Sequence, residues 1–253
     1  MTSTAERALW DRLRAHTRSR IGLGRAGDAL DTAAVLDLAA AHAAARDAVH
    51  SAVDADAVAA QLTAEGFGDV PTVCSQAPDR STYLRRPDLG RRPNDLSALT
   101  PTNPDVAIVI CDGLSARAVT DHAVPMAVAV REALPGATVQ AVVATQARVA
   151  LGDHVASQLG ATAVVVLVGE RPGLSVADSL GAYLSYRPRP GMADSERNCV
   201  SNIHPPDGLG YRRAAEIVAA LLAGAKALGR SGVDLKDTSA DALAAADEAA
   251  ELC

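Results

Sequence analysis

Aromatic side chains are nearly missing from this chain: 253 residues hold one Trp, one Phe and four Tyr, 2% in all. Burial therefore rests on Ala, Val and Leu, which suits helices and strands that approach closely. Lysine is nearly absent too, two against 22 Arg, and with 30 acids the net charge is −6. That balance lacks the basic stripe on which nucleic-acid binding depends. The four cysteines, Cys74, Cys111, Cys199 and Cys253, form no Cys-x-x-Cys pair. Their spacing argues against a zinc site or a disulfide framework and favours a reducing cytosol. No apolar run is long enough for a membrane span, and the Arg-rich N-terminus has no apolar segment of the secretory kind.

What the chain does have is a sharply ended apolar run, Ala163 to Val168, closed by Gly169-Glu170-Arg171-Pro172-Gly173. Such a run reads as a fully buried strand of an α/β sheet, covered by helices on both faces. Ligands of open parallel sheets bind beyond the carboxyl ends of the strands, which is where Glu170 and Arg171 stand.

In order, the sequence predicts a short helix over residues 5–18 that buries Trp10 or Leu13, then helices over 31–49, capped by Asp31 or Thr32, and 54–65. Between the first two lies Gly22-Leu23-Gly24-Arg25-Ala26-Gly27, a literal G-x-G-x-x-G without the preceding apolar strand that dinucleotide binding needs. His42 and His50 share a face, but two imidazoles without a third ligand carry no metal chemistry.

Six prolines between residues 69 and 104 forbid long elements there, and this stretch reads as an inter-domain passage. Within it, Arg85, Arg86, Arg91 and Arg92 make either a solvated loop or an ordered one that grips the carboxylates of a partner or an anionic ligand. Strands and helices then alternate: a strand over 105–111, Ser115 as a cap, a helix over 124–134 with Pro125 in its first turn, a strand over 138–144 and a helix over 152–159. After the 163–168 strand come a helical turn over 175–180, strands over 183–186 and 200–203, and a long helix from Ala214 to Gly229. The alternation argues for an α/β fold with a doubly wound, mostly parallel sheet. The domains expected are a helical N-terminal region, 1–103, including the linker at about 69–103; a sheet domain, 104–233; and an acidic tail, 234–253, read as a peripheral helix.

Catalytic constellations are missing. There is no Gly-x-Ser-x-Gly elbow, no His-Glu-x-x-His and no Walker loop. Asp121-His122 reads as helix-cap chemistry. Four features, expected in loops of one sheet, could carry chemistry: Asp112-Gly113, Arg148-Val149, Glu170-Arg171 and Asn198 to His204. This pattern favours ligand binding over catalysis.

Six segments, in order, resemble the small (light) subunit of ethanolamine ammonia-lyase: Arg20 to Gly27, Tyr83 to Arg92, Asn103 to Asp105, Cys111 to Ser115, Val168 to Leu174 and Cys199 to His204. The likeness runs from about residue 20 to 234. It implies a lyase that uses adenosylcobalamin to convert ethanolamine into acetaldehyde and ammonia by radical migration of the amino group. It also implies a large TIM-barrel partner subunit that does the chemistry, while the small subunit holds the corrin against it with a Rossmann-like domain. By motif, the cobalamin contacts implied are Val149, Glu170 and Cys199, with no catalytic or metal-ligating residue on this chain. For Glu170 the bland alternative is a surface cap.

The chain lacks the Asp-x-His-x-x-Gly motif with which other cobalamin proteins replace the cofactor's lower base. It departs from the family's pattern at Asp28 to Asp31, where a Pro-Arg-Pro-Arg run is expected. Its N-terminus is shorter than that of enteric relatives, whose extension directs them to bacterial microcompartments, so the location expected is cytoplasmic, with encapsulation left open. Two other functions remain beside this one: a nucleotide-binding oxidoreductase using Gly22 to Gly27, and a non-enzymatic small-ligand module.

Overall fold

A computed structural model describes residues 4–237. The acidic tail beyond them, with the helix expected there, lies outside the described residues. Among the described residues, no helix is long and apolar enough to cross a membrane.

Helix α1, Thr4–Arg14, comes first, and of its two apolar candidates it is Trp10 that finds a neighbour. The indole lies so close to Gly22 that a Cβ there would collide with the ring, and Gly22 takes a φ of +57° to make room. Leu13 stays 42% exposed. The G-x-G-x-x-G stretch runs into a small hairpin of β1, Arg25–Ala26, and β2, Ala29–Leu30, turning at Gly27-Asp28. A hairpin stands where a dinucleotide site needs strand, turn and helix, so that reading loses its structural context. Helix α2, Thr32–His50, follows with Asp31 as its cap, the carboxylate accepting from the Ala34 amide. Helix α3, Ala55–Leu62, is capped by Asp54 in the same way.

The Pro-rich passage contributes more than a linker. It supplies strand β3, Thr72–Cys74, and a short helix α4, Arg80–Arg85. Then come β4, Val106–Cys111; α5, Ala116–Glu132; β5, Val139–Thr145; α6, Leu151–Leu159; β6, Ala163–Gly169; β7, Leu180–Tyr186; β8, Asn198–Ile203; and α7, Tyr211–Leu228. Strands β3 to β8 form one sheet in the order β3-β5-β4-β6-β7-β8. The first four in that order are parallel, and β7 runs antiparallel to its neighbours β6 and β8.

Alternation along the strands builds two cores. Ile108 and Ile110 of β4, Val143 of β5 and Leu167 of β6 meet α3, α5 and α7 on one face. Val109, Cys111, Val142, Ala144, Val164 and Val166 meet α6 on the other. Every residue of β4 and β6 is buried, as a strand covered on both faces requires. The fold is α/β, as the sequence predicts.

Three local expectations are corrected. Helix α5 starts after Ser115, whose hydroxyl accepts from the Ala118 amide, so Pro125 and Asp121-His122 lie in its interior. The side-chain cap decides the start, and the carbonyl that Pro125 leaves without a helical donor belongs to Asp121, on the exposed side. Residues 175–179 form no helical turn, because their polar groups go to neighbours: the Ala177 carbonyl accepts from Ser115 Oγ, and Ser179 Oγ donates to Glu170. The strand expected over 200–203 starts earlier, at Asn198, so the Asn198 to His204 feature expected in a loop lies mostly on the strand.

Candidate functional site

The carboxyl ends of β4, β5 and β6 open into a cleft of about 440 Å³. Each strand end contributes: Gly113 of the expected Asp112-Gly113 pair, with Leu114 beside it, after β4; Arg148 and Val149 after β5; Glu170 and Arg171 after β6. β5 and β6 lie on either side of β4, and helices α5 and α6 depart to opposite faces of the sheet, which leaves a crevice between the strand ends.

Asp112 ties these ends together. It is 3% exposed; Oδ1 accepts from the Ala147 amide at 2.8 Å, and Oδ2 accepts from the Gln146 amide at 3.0 Å and from Arg80 at 3.2 Å. Burial pushes this carboxyl above the usual range, while the backbone amides and Arg80 pull it back. Between β4 and β6 the backbone is closer still. Gly113 has a φ of +56°, and a Cβ there would collide with the Gly169 carbonyl; a Cβ on Gly169 would stand 2.7 Å from the Asp112 carbonyl oxygen. The Leu114 amide donates to that same Gly169 carbonyl at 2.8 Å. Only glycine fits at both positions.

Tyr83, from the Pro-rich passage, closes one wall. It is fully buried, its hydroxyl donates to the Ala147 carbonyl at 3.2 Å, and the guanidinium groups of Arg80 and Arg148 each lie 4.8 Å from its ring centre. Burial, then Asp112, pushes the Tyr83 phenol upward, so it stays protonated. Gly90 lies against the same ring, and its carbonyl accepts from the Arg148 amide at 2.9 Å.

Glu170 is anchored rather than free. Its Oε2 accepts from Ser179 Oγ and from the Asn202 amide at 3.4 Å, while Oε1 takes part in no hydrogen bond among the described residues. Gly181 of β7 leaves room for the carboxylate, since a Cβ there would come within 3.0 Å of Oε1.

Val149 and Glu170 thus line one cleft, but Cys199 does not. Cys199 is exposed on β8 as the cross-strand partner of Tyr183, which does line the cleft. Partners of this kind project on the same face of the sheet. The Tyr183 phenol is pushed upward, first by desolvation and then by Cys199.

A second lobe of about 260 Å³ continues past Arg148, Val149 and Tyr183 to Arg91, Ala150, Asp194 and Arg197. Arg91 grips both oxygens of Asp194 at 2.7 and 2.8 Å, so this member of the Arg-rich loop holds a carboxylate of its own chain. Arg86 spends itself on Asp88 within the loop. Behind the lobe, Arg197 forms a bidentate pair with Asp153 of α6 at 2.6 and 2.7 Å, with side chains 2% and 0% exposed.

Sequence reasoning missed Tyr83, Arg80, Tyr183 and the Asp153–Arg197 pair. For Tyr83 a signal existed: a chain with six aromatics places one between arginines in a segment otherwise poor in apolar residues.

The family model described as ethanolamine ammonia-lyase light chain (EutC) matches residues 7–236. Among curated relatives, the ethanolamine ammonia-lyase small subunit of Rhodococcus erythropolis is 54% identical over 241 residues, 94% of this chain and 94% of that one. The small subunit from Bradyrhizobium diazoefficiens is 48% identical over 238 residues, 90% of each chain. That from Pseudomonas syringae pv. tomato is 46% identical over 253 residues, 96% of this chain and 88% of that one.

Proposed function

The chain belongs to the ethanolamine ammonia-lyase light chain family, the small subunit of a two-subunit lyase, and we propose that it holds adenosylcobalamin against the large subunit. The observation that carries the proposal is the meeting of Val149 and Glu170, from separate strands, in one cleft at the strand ends.

The residues present suit the cofactor. A corrin is a flat ring with apolar faces and a rim of neutral amide arms, so it needs an open apolar floor edged by donors and acceptors. Leu114, Val149 and Val168 supply the floor, Glu170 the acceptor, and Arg171 the donor. Glu170 Oε1, without a partner, would accept from an amide arm, and Ser179 holds the carboxylate in place for it. Val149 would offer backbone and apolar contact. Cys199 would act at the edge, through its strand partner Tyr183; desolvation pushes its thiol upward, which keeps it in the protonated form at neutral pH. When bound, adenosylcobalamin supplies the radical chemistry, and the protein's share is to position it and exclude water. No residue of this chain is assigned to bond-making on ethanolamine.

Reconstitution tests this. Ammonia release from ethanolamine should require this chain, a large subunit and adenosylcobalamin together. A large subunit that works equally well without this chain would overturn the proposal.

A further inference from the structure

The two lobes of the cleft differ in chemistry, and the corrin accounts only for the first. The second is rich in cations, but two of its three arginines are already committed: Arg91 to Asp194, and Arg197 to Asp153. Arg148 is the exception. Among the described residues it pairs with no carboxylate, its Nε is buried without a hydrogen-bond partner, and its guanidinium rests 4.8 Å from the Tyr83 ring centre. A cation seated on an aromatic face keeps its charge and its donors for something else.

Helix α6 adds to this field. Its N-cap, Ala150, lines the same lobe, and no side chain caps it. The Leu151 and Gly152 amides return to the Arg148 and Val149 carbonyls, so the helix end contributes potential while the guanidinium contributes the bonds. Arg148, Val149 and Tyr183 border both lobes, so one ligand can occupy the first and extend an arm into the second.

We propose that the second lobe is an anion subsite in which Arg148 receives the phosphodiester of the cobalamin nucleotide loop. This rests on the cobalamin reading above and adds the part of the cofactor that Arg148 recognises. The chemistry selects it: the amide arms around a corrin are neutral, and the phosphodiester is the one group of the cofactor that stays anionic across the working pH range. An unpaired guanidinium beside an uncapped helix start complements that group.

Cobinamide keeps the corrin and lacks the phosphodiester, so it separates the two lobes. Binding of cobalamin and of cobinamide to the reconstituted two-subunit complex would be followed by equilibrium dialysis, reading the corrin absorbance. Arg148→Met, which keeps the aliphatic stem, should weaken cobalamin about tenfold or more, the effect of losing a charge-assisted contact. It should leave cobinamide unchanged. Arg148→Lys, which keeps a cation beside Tyr83, should lose less for cobalamin and again nothing for cobinamide; it serves if the Met variant fails to assemble. Inorganic phosphate at matched ionic strength should compete with cobalamin on wild type and not on Arg148→Met. Equal losses for both ligands, or no loss for cobalamin, would overturn the anion subsite alone. A wild-type complex that binds neither ligand would overturn the cobalamin reading with it.

Discussion

Asp112 and Ala147 stand at the ends of adjacent strands, joined by a 2.8 Å hydrogen bond from the Ala147 amide to a carboxylate that is 3% exposed. The same carboxylate takes the Gln146 amide and Arg80. Asp112→Ala therefore removes three bonds at once and leaves Arg80, whose side chain is 11% exposed, without its counter-ion. Removing one partner of a buried pair costs about 3–5 kcal/mol. In a chain of this size that corresponds to a fall in Tm of roughly 10 °C or more, read by calorimetry. Asp112→Asn, which can still accept through one oxygen, should fall less.

Glu170→Ala should raise the Kd for cobalamin in the two-subunit complex by about tenfold, the effect of one charged hydrogen bond. Subunit assembly, measured by gel filtration, should be unchanged, because the carboxylate bonds only to Ser179 and Asn202 of its own chain. Unaltered affinity would place the contact elsewhere.

His122 sets a pH dependence. It lies inside α5, 7% exposed, with Nδ1 bonded to the Tyr211 hydroxyl at 2.7 Å and Nε2 buried without a partner. Burial holds the imidazole below its ordinary value of 6.5, while Asp178 and Asp121 oppose the shift and His204 and Arg117 add to it. The unfolded chain then takes up the proton more readily than the folded one. Stability is complete above about pH 6.5 and declines as pH falls from there towards the folded value, below which the loss is full. Thermal melting between pH 7.5 and 5 should show the decline. His122→Gln should reduce the slope without abolishing it, since burial shifts His154 in the same direction.

Arg197 and Asp153 latch α6 to the start of β8, and Ser185 and the Met192 carbonyl take two of the remaining guanidinium bonds. Arg197→Met alone should cost about 3–5 kcal/mol by urea unfolding, because Asp153 is left buried and charged. Arg197→Met combined with Asp153→Leu should recover much of that loss, since replacing a whole buried pair with apolar groups is often close to neutral.

Strands β4 to β8 were legible because apolar runs with β-branched residues and Gly or Pro stops leave little else for a chain to do, whereas β3, inside the Pro-rich passage, was not. Val164 to Gly173 shows this: strand, strand end and charged tip all stand where the pattern puts them. Capping was legible at Asp31 and Ser115, where a short oxygen-bearing side chain precedes a helical run. What stayed hidden is long-range. Tyr83 meets Ala147 from 64 residues away and Arg91 meets Asp194 from 103, and nothing local encodes such pairings. The reversal of β7 was hidden for a similar reason. Its burial pattern reads alike in either direction, and its direction is set by how the loop from Glu170 to Ser179 folds back on itself through the Glu170–Ser179 bonds.

The wall made by Arg80, Tyr83 and Gly90 has a consequence for how the molecule must be assembled. All three come from the stretch that precedes residue 104. A fragment beginning at 104 would contain five of the six strands of the main sheet, yet it would lack the edge strand β3, the counter-ion of Asp112 and the ring beneath Arg148. During synthesis the N-terminal part leaves the ribosome first and must wait for the strands it will brace. A nick in the Pro-rich passage would thus spoil one wall of the cleft while much of the sheet survived.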